Sequence, residues 1–294
     1  MFEIKTKWNY LVKDISLNKR NYSFRIVALI LGLYIFTLGI TIGSQTAVGV
    51  SMIDFTIFSG LFSSEGLMET QGTTIVPGTI KVQDSPYALY CGLLYVGMSI
   101  VSLIFMSIWV AKDYKTTRNK MLFVMMGLAV VGDIIIILGI PLLIEMNLLY
   151  IPGAAIANAA PGIRVYIFML AFACYALGIA LWVYASLLSG PYNSICTNFL
   201  KVTGIKSYSV GRTAMNLLIL APGFIVIIIM GLTGTPWSDI GNFLVVNISF
   251  GTVFYVFVLG IVVTAWGKLI RKILIVKPHV SPDEPKQTEL NLSE

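Results

Sequence analysis

The sequence predicts an all-α membrane protein with six transmembrane helices, arranged as two inverted three-helix repeats. Hydrophobic residues make up 57% of the chain and charged residues only 12%, whereas soluble domains carry about 25% charged residues. Apolar runs of about 20 residues, enough to cross roughly 30 Å of hydrocarbon, begin near six positions: Arg25, Tyr90, Met121, Val165, Thr213 and Val245. In each repeat a broken or re-entrant segment is predicted after the first helix.

The distribution of basic residues predicts the orientation of these helices. All lysines and arginines except Lys81 and Arg164 lie before helix 1, between helices 2 and 3, between helices 4 and 5, or after helix 6. Basic loops stay on the cytoplasmic side of a membrane, so both termini are predicted to be cytoplasmic. The net charge of +6 therefore reflects topology and contact with anionic lipid. It gives no indication of nucleic acid binding.

The composition along the chain predicts how it is divided. The parts are a cytoplasmic amphipathic interfacial helix (1–23), the first repeat (24–146) with an outer insertion (67–88), an outer connection (147–163), the second repeat (164–274) and a disordered cytoplasmic tail (275–294). Apolar residues at helical spacing predict the first part. A polar, proline-containing composition predicts the last.

Internal similarity between the two halves supports the prediction of a repeat. An offset of 139 residues places Gly178 on Gly39 and Asn193 on Asp54, directly after a transmembrane helix in each half. Three helices per repeat is an odd number, so the second repeat enters the membrane in the opposite sense. Inverted repeats with broken segments at matching positions are typical of alternating-access transporters, whose site lies at the repeat interface.

The two broken segments, residues 49–66 and 189–204, each contain the signals of a helix N-terminus. Ser51 and Asp54 have the S-x-x-D spacing of a capping box. Ser189 is predicted to cap a helix whose first turn contains Pro191, where a missing N–H is harmless. Such N-termini attract an anionic group or a ligand carbonyl.

Two interpretations of these segments remain open at the level of the sequence. Re-entrant segments are tolerated at membrane depth when they are buried in protein or line a wet cavity. Alternatively, both are interfacial helices that lie on the membrane surface, with Ile195, Phe199 and Leu200 forming the apolar face of the second one.

Asp133 lies inside the third apolar run, where a carboxylate costs about 2.5 to 3.5 kcal/mol on insertion scales. One interpretation is a proton, cation or substrate site, for which Arg212, Asn216, Asn193 and Tyr175 are candidate partners. The other is a structural hydrogen bond or ion pair between helices. Arg212 itself begins the fifth helix from the cytoplasmic side, and the favoured interpretation is an arginine that snorkels to the interface.

Catalytic and metal-binding motifs are missing from the sequence. The cysteines Cys91, Cys174 and Cys196 lack metal or redox spacing and are predicted to be buried packing residues without disulfides. The single histidine, His279, lies in the tail. No nucleophile elbow, zinc-protease motif or P-loop is present. We therefore expect no enzyme activity, no metal and no cofactor.

Two stretches resemble the YczE/YyaS/YitT-type bacterial integral membrane proteins. The first repeat contains RIVALILGLYIFTLGITIGSQTAVGVSMIDFTIFSGLF, which is similar to that family's glycine-rich helix and G-x-S-P-x-D-like turn. The second contains SGPYNSICTNFLKVTGIKSYSVGRTAMN and FGTVFYVFVLGIVV, which resemble its GPxD-x-L…G-x-S-x-G-x-x-R segment and G-T helix. The matching residues are Gly49, Ser51, Asp54, Gly190, Pro191, Asn193, Gly204, Arg212, Gly251 and Thr252.

The resemblance covers roughly residues 24–66 and 178–265, with two departures. Met52 stands where the family pattern has proline, and Asn193 stands where it has an acidic residue. A site that depends on one acidic residue from each segment would keep only Asp54 in this chain. The resemblance implies a multi-pass protein of the bacterial cytoplasmic membrane but does not name a substrate.

Taken together, these features predict a secondary transporter or permease for a small solute, with an anion as one candidate. The predicted pathway residues are Ser51, Asp54, Asp133, Gly190, Pro191, Asn193, Arg212, Asn216 and Thr252. The alternative is a membrane module that does not transport by itself: a substrate-binding subunit for an ATP-driven transporter, or a regulatory or assembly protein. The sequence leaves the solute, the coupling ion, the oligomeric state and any membrane partner open.

Overall fold

The described residues of the computed structural model form helices joined by short turns. The model describes four stretches: 19–46, 48–65, 87–185 and 187–274. Its helices are α1 Lys19–Ser44, α2 Met52–Glu65, α3 Tyr87–Thr117, α4 Met121–Tyr150, α5 Gly153–Ala157, α6 Pro161–Ala185, α7 Gly190–Thr203, α8 Tyr208–Leu232, α9 Trp237–Asn247, α10 Phe250–Val253 and α11 Leu259–Leu274. The predicted N-terminal interfacial helix, nearly all of the outer insertion and the tail lie outside the described residues.

Six helical stretches are long and apolar enough to cross a membrane. They are Tyr22–Ser44, Leu89–Thr117, Met121–Tyr150, Pro161–Ala185, Tyr208–Leu232 and Phe250–Lys272. Large apolar side chains such as Leu138 and Ile225 cover their outer faces, with exposed fractions of 70% and 57%, as lipid-facing surfaces require. The predicted all-α membrane class is confirmed, and the first five spans begin at or a few residues before their predicted starts.

The sixth span begins at Phe250, a few residues after its predicted start near Val245. The chain is helical through Asn247, breaks at Ile248 and Ser249, and begins the span at Phe250. The break is held by the stretch that follows α1: Val50 N–H donates to the Asn247 carbonyl at 3.3 Å, and Ser249 Oγ donates to the Val48 carbonyl. Hydropathy does not reveal this break because the residues on both sides of it are apolar.

Thr252 closes the same junction. Its hydroxyl lies 2.8 Å from the Val50 carbonyl and 2.6 Å from the Asn247 carbonyl, and the residue is only 2% exposed. This hydroxyl therefore joins the chain before α2 to the chain before α10. In this structure, Thr252 stabilises the junction between these two segments.

We expect Thr252→Val to lower the free energy of unfolding by about 1 to 2 kcal/mol, because a buried hydrogen bond is lost without a change in side-chain shape. Thermal unfolding of the purified protein in detergent measures this. Thr264→Val is the control, since its hydroxyl bonds only the Gly260 carbonyl within its own helix. Equal unfolding midpoints for the two variants would contradict a role for Thr252 in holding the junction.

The centre of the fold is a close crossing of α1 and α6. A Cβ atom on Gly39 would lie 2.6 Å from the Tyr175 nitrogen and 2.8 Å from the Ala171 oxygen. A Cβ atom on Gly178 would meet the Phe36 nitrogen and lie 2.8 Å from the Gly32 oxygen. Two glycines thus allow the helix backbones to touch, as small residues do between membrane helices.

The short helices α2 and α7 pack inside the protein, each against the opposite half of the chain. Helix α2 packs on α8, and helix α7 packs on α3. Nearly all of α2 up to Phe62 is buried or half-buried, and every residue from Gly190 to Cys196 in α7 is buried. Ile195, assigned to the membrane surface in the interfacial interpretation, packs instead against Cys196 and Met215.

Each break before a short helix contains a glycine in the left-handed region. Gly49 has φ +124° before α2, and Gly190 has φ +64° at the first residue of α7. Glycine adopts these angles without the penalty that a Cβ atom imposes. They redirect the chain so that α2 and α7 enter the interior after α1 and α6 end.

Candidate functional site

Arg212 is the most deeply buried charge in the described residues. Its side chain is 0% exposed, although it lies in the second turn of α8. Nη1 donates to the Tyr192 carbonyl at 3.0 Å and to Asn193 Oδ1 at 3.3 Å. The guanidinium also stacks on the Tyr192 ring, 3.7 Å from its centroid. The predicted snorkelling of Arg212 is wrong, because α7 holds the side chain in the protein interior.

Two nitrogens of this guanidinium, Nε and Nη2, have no hydrogen-bond partner among the residues that the structure describes. Within the described part of the chain no carboxylate pairs with Arg212, and the acceptors of Nη1 are a carbonyl and an amide. A guanidinium stays charged in proteins, and an uncompensated buried charge costs several kcal/mol even after relaxation. An ionisable group held in this way inside a membrane protein marks a functional site by default.

Further polar groups without partners among the described residues lie within electrostatic reach of the guanidinium or bond to it. Asn193 Nδ2 and the hydroxyls of Tyr95 and Tyr208 are buried and make no hydrogen bond. Both tyrosines lie within electrostatic reach of Arg212. The Cys196 thiol, a weak acceptor, lies beside it as well. We call Arg212, Asn193, Tyr95, Tyr208 and Cys196 the Arg212 cluster.

Aromatic side chains pack next to this cluster. Phe36 and Tyr175 have ring centroids 4.8 Å apart, and Tyr175 and Tyr255 are 5.1 Å apart. The Tyr175 hydroxyl donates to the Tyr192 hydroxyl at 3.0 Å. All four rings are at most 1% exposed. The centre of the protein therefore combines one cation, several phenols and apolar rings.

Asp54 is the residue that the predicted offset of 139 residues relates to Asn193. Ser51 Oγ donates to one carboxylate oxygen at 2.7 Å, and the Tyr87 hydroxyl donates to the other. The Asp54 N–H donates to Ser51 Oγ at 3.2 Å, as the S-x-x-D spacing predicts. Burial raises the pKa of Asp54 from 3.8 to about 6, although the bonds from Tyr87 and Ser51 oppose this shift.

The first turn of α7 differs from its prediction in one respect. Ser189 occupies the N-cap position and Pro191 lies in the first turn, but the Ser189 side chain makes no capping hydrogen bond. Its backbone is already helical, with φ −74° and ψ −40°, whereas N-cap side chains reach the helix from an extended backbone. Gly190 and Pro191 are buried beside Tyr192 and Asn193.

Asn216 lies one turn beyond Arg212 on α8, and its side chain donates hydrogen bonds to an irregular turn of the sixth span. Residues Phe254–Val258 form a π-helical turn, a feature common at functional sites. Asn216 Nδ2 donates to the carbonyls of Tyr255 and Val256 at 3.0 and 3.2 Å. Its Oδ1 has no partner. Asn216 therefore ties α8 to the sixth span next to the Arg212 cluster.

Asp133 is not joined to that cluster by any hydrogen bond. It is 3% exposed and accepts a hydrogen bond from Ser99 Oγ at 2.6 Å, while its other oxygen has no partner. The four partners considered from the sequence were wrong: Arg212, Asn193, Asn216 and Tyr175 bond elsewhere. The observed bond connects α3 to α4.

We expect Asp133→Asn to change the free energy of unfolding by less than about 1 kcal/mol, because the amide still accepts from Ser99 and such interhelical bonds average about 0.6 kcal/mol. Uptake into vesicles at several pH values should be unchanged. Ser99→Ala removes the same hydrogen bond between α3 and α4. If this bond has only a structural role, uptake by Ser99→Ala should also be unchanged at every pH. A loss of pH-dependent uptake in Asp133→Asn alone would instead assign a coupling role to this carboxylate.

Within the described stretches, no group of three or more His, Cys, Asp or Glu residues could hold a metal ion. The residues missed at the level of the sequence are the tyrosines, particularly Tyr95, Tyr87 and Tyr192. A tyrosine in an apolar run signals nothing by itself, since packing explains it equally well.

Comparison of the chain with family models, curated proteins and solved structures found no match. The resemblance to the YczE/YyaS/YitT-type proteins therefore stays a prediction. The features of the molecule that bear on its function are the Arg212 cluster and the packing of helices around it.

Proposed function

We infer that the chain is a secondary transporter that carries a small anion across the cytoplasmic membrane by alternating access, with both termini on the cytoplasmic side. The observation that carries this proposal is the fully buried Arg212, two of whose nitrogens are unpaired in the interior of a six-span membrane protein. An anion bound there would satisfy both nitrogens and neutralise the charge. A purely structural arginine would be expected to have its donors paired.

The pairing of helices supports two inverted repeats. Helix α1 packs on α6, and each of these also packs on the last span of its own half: α1 on α4 and α6 on α11. Exchanging the halves replaces α1, α2, α3 and α4 by α6, α7, α8 and α11. The packing of α2 on α8 then becomes the packing of α7 on α3, and both are present.

The glycine contacts at the central crossing support the same symmetry at the level of residues. The offset of 139 residues that relates Gly39 to Gly178 also relates Phe36 to Tyr175 and Gly32 to Ala171. Gly39 approaches Tyr175 and Ala171, and Gly178 approaches Phe36 and Gly32. Each contact is thus the counterpart of the other, as an interface across a two-fold axis requires.

The lengths of α2 and α7 support re-entrant segments. Each has 14 residues, which at 1.5 Å per residue span about 21 Å, less than the roughly 30 Å of hydrocarbon. Their first turns are buried and contain Asp54 in one half and Asn193 beside Arg212 in the other. In our proposal these two first turns lie at the repeat interface, where broken helices bind cargo.

Reconstitution of the purified full-length chain into liposomes tests the proposal. Uptake of radiolabelled pyruvate, phosphate and sulfate is measured in parallel, and we expect one of them to accumulate without any added protein or ATP. A protein that takes up none of the three and co-purifies with an ATPase would contradict the proposal. That result would favour the alternative, a substrate-binding module for a separate motor.

A further inference from the structure

We propose that the solute is a small organic monocarboxylate, bound side-on by Nε and Nη2 of Arg212. This inference rests on the proposed function and specifies its substrate class. On a guanidinium, the Nε–H and one N–H of Nη2 point in parallel from a single edge. A carboxylate presents two oxygens at matching separation, so that both bonds form at once.

The other surfaces of the guanidinium are already occupied. Its Nη1 end is anchored to the Tyr192 carbonyl and Asn193 Oδ1, and one face lies on the Tyr192 ring. On the remaining edge, Nε and Nη2 make no hydrogen bond to an oxygen or nitrogen atom of the described residues, and the Cys196 thiol, a weak acceptor, lies beside the guanidinium. Anchoring of the opposite end fixes the plane and direction of this edge, which makes it a preorganised fork for a planar anion.

The charge of the site favours a monoanion. Arg212 is the only basic residue among the fully or nearly fully buried side chains of the described stretches, whereas Asp54 and Asp133 are buried acids. A carboxylate with one negative charge compensates one guanidinium. Sulfate, and phosphate in its dianionic form, would leave an excess negative charge in a medium where an unpaired charge is costly.

The surroundings favour an organic anion with an apolar remainder. Asn193 Nδ2 and the Tyr95 hydroxyl are buried donors without partners among the described residues, and Tyr95 lies within electrostatic reach of Arg212. The rings of Phe36 and Tyr175 pack with the Tyr192 ring, which lies against the guanidinium. Pockets that bind small organic ligands have this composition: apolar walls with a few polar groups that orient the ligand.

The fork is buried from solvent in this structure. Arg212, Tyr95 and Tyr192 are all 0% exposed, so that a solute reaches the fork only when α7 moves relative to α3 or α8. Such a movement exposes the fork to one side of the membrane at a time in the alternating-access scheme.

Binding measurements on the purified full-length chain test the substrate class. Benzoate and pyruvate are compared with benzamide, which lacks the charge, benzenesulfonate, which is not planar at the anionic group, and phosphate. We expect the two carboxylates to raise the unfolding temperature and to bind at least about tenfold more tightly than the other three probes. Arg212→Lys should weaken carboxylate binding at least about tenfold, because lysine keeps the charge but lacks the fork.

Arg271→Lys, at an exposed position in α11, is the matched control and should leave binding unchanged. If phosphate or sulfate binds and is taken up with dependence on Arg212 while the carboxylates are not, the substrate class is wrong and the transporter stands. Equal carboxylate binding by wild type and Arg212→Lys would also overturn the side-on fork. If the liposome assay shows uptake of none of the anions, the proposed function itself fails.

Discussion

Arg212→Gln is expected to abolish anion binding and uptake while the protein remains folded. Two charged hydrogen bonds to the solute are lost, each contributing about 1.5 to 3 kcal/mol, which corresponds to a decrease in affinity of at least about 100-fold. The unfolding temperature without solute should be equal to or higher than that of the wild type. Glutamine removes a buried charge that is compensated in the empty site only by two neutral acceptors and the Tyr192 ring.

The combination of lost function and retained stability distinguishes a binding residue from a structural one. Breaking a buried ion pair or an essential network typically destabilises a protein by about 3 to 5 kcal/mol. Arg271→Gln is the control, because it removes the same charge from an exposed position. If Arg212→Gln unfolds at a much lower temperature than both wild type and this control, Arg212 serves the fold, and our assignment of the site is wrong.

Gly178→Ala is expected to destabilise the protein by about 3 kcal/mol, at the upper end of the usual range for overpacking. The added methyl group would collide with backbone atoms of Phe36 and Gly32 in α1, and backbone cannot rotate away as a side chain can. The helices must then separate along their whole crossing. Thermal unfolding and the yield of monodisperse protein in detergent measure the effect.

Gly39→Ala provides a second, symmetry-related measurement. Its methyl group would meet the backbone of Tyr175 and Ala171 in α6, so we expect a loss similar to that of Gly178→Ala. Gly97→Ala is the control, because no atom lies within 4 Å of its added Cβ and alanine favours a helix over glycine by about 1 kcal/mol. A destabilisation of Gly97→Ala equal to that of the other two would contradict close contact at the crossing.

The transmembrane spans could be predicted from the sequence because each one needs about 20 predominantly apolar residues to cross the hydrocarbon core. Runs of apolar residues predicted the starts of the first five transmembrane spans to within a few residues. Gly39 and Gly178 were also recognisable from their shared offset, and the structure gives both a place at the α1 and α6 crossing. The S-x-x-D spacing of Ser51 and Asp54 predicted a hydrogen bond that is present, because capping depends on residues close in sequence.

Features that depend on contacts between distant segments could not be predicted. Arg212 at the cytoplasmic end of an apolar run has the pattern of a snorkelling residue, and only the packing of α7 over it excludes that position. The partner of Asp133 is a serine that carries no signal of its own. The break before Phe250 is held by the distant residues Val48 and Val50. Each of these outcomes is decided by tertiary structure.

In the proposed transport cycle, the Arg212 cluster opens in turn to the two sides of the membrane. Cys196 is a native probe of this movement, since it is 0% exposed and lies beside Arg212. Cys91 and Cys174, the other two cysteines, are replaced by alanine. A membrane-impermeant thiol reagent is then applied to vesicles of either orientation. We predict that Cys196 is labelled from both faces and that benzoate slows the labelling. Labelling from one face only, under all conditions, would contradict alternating access.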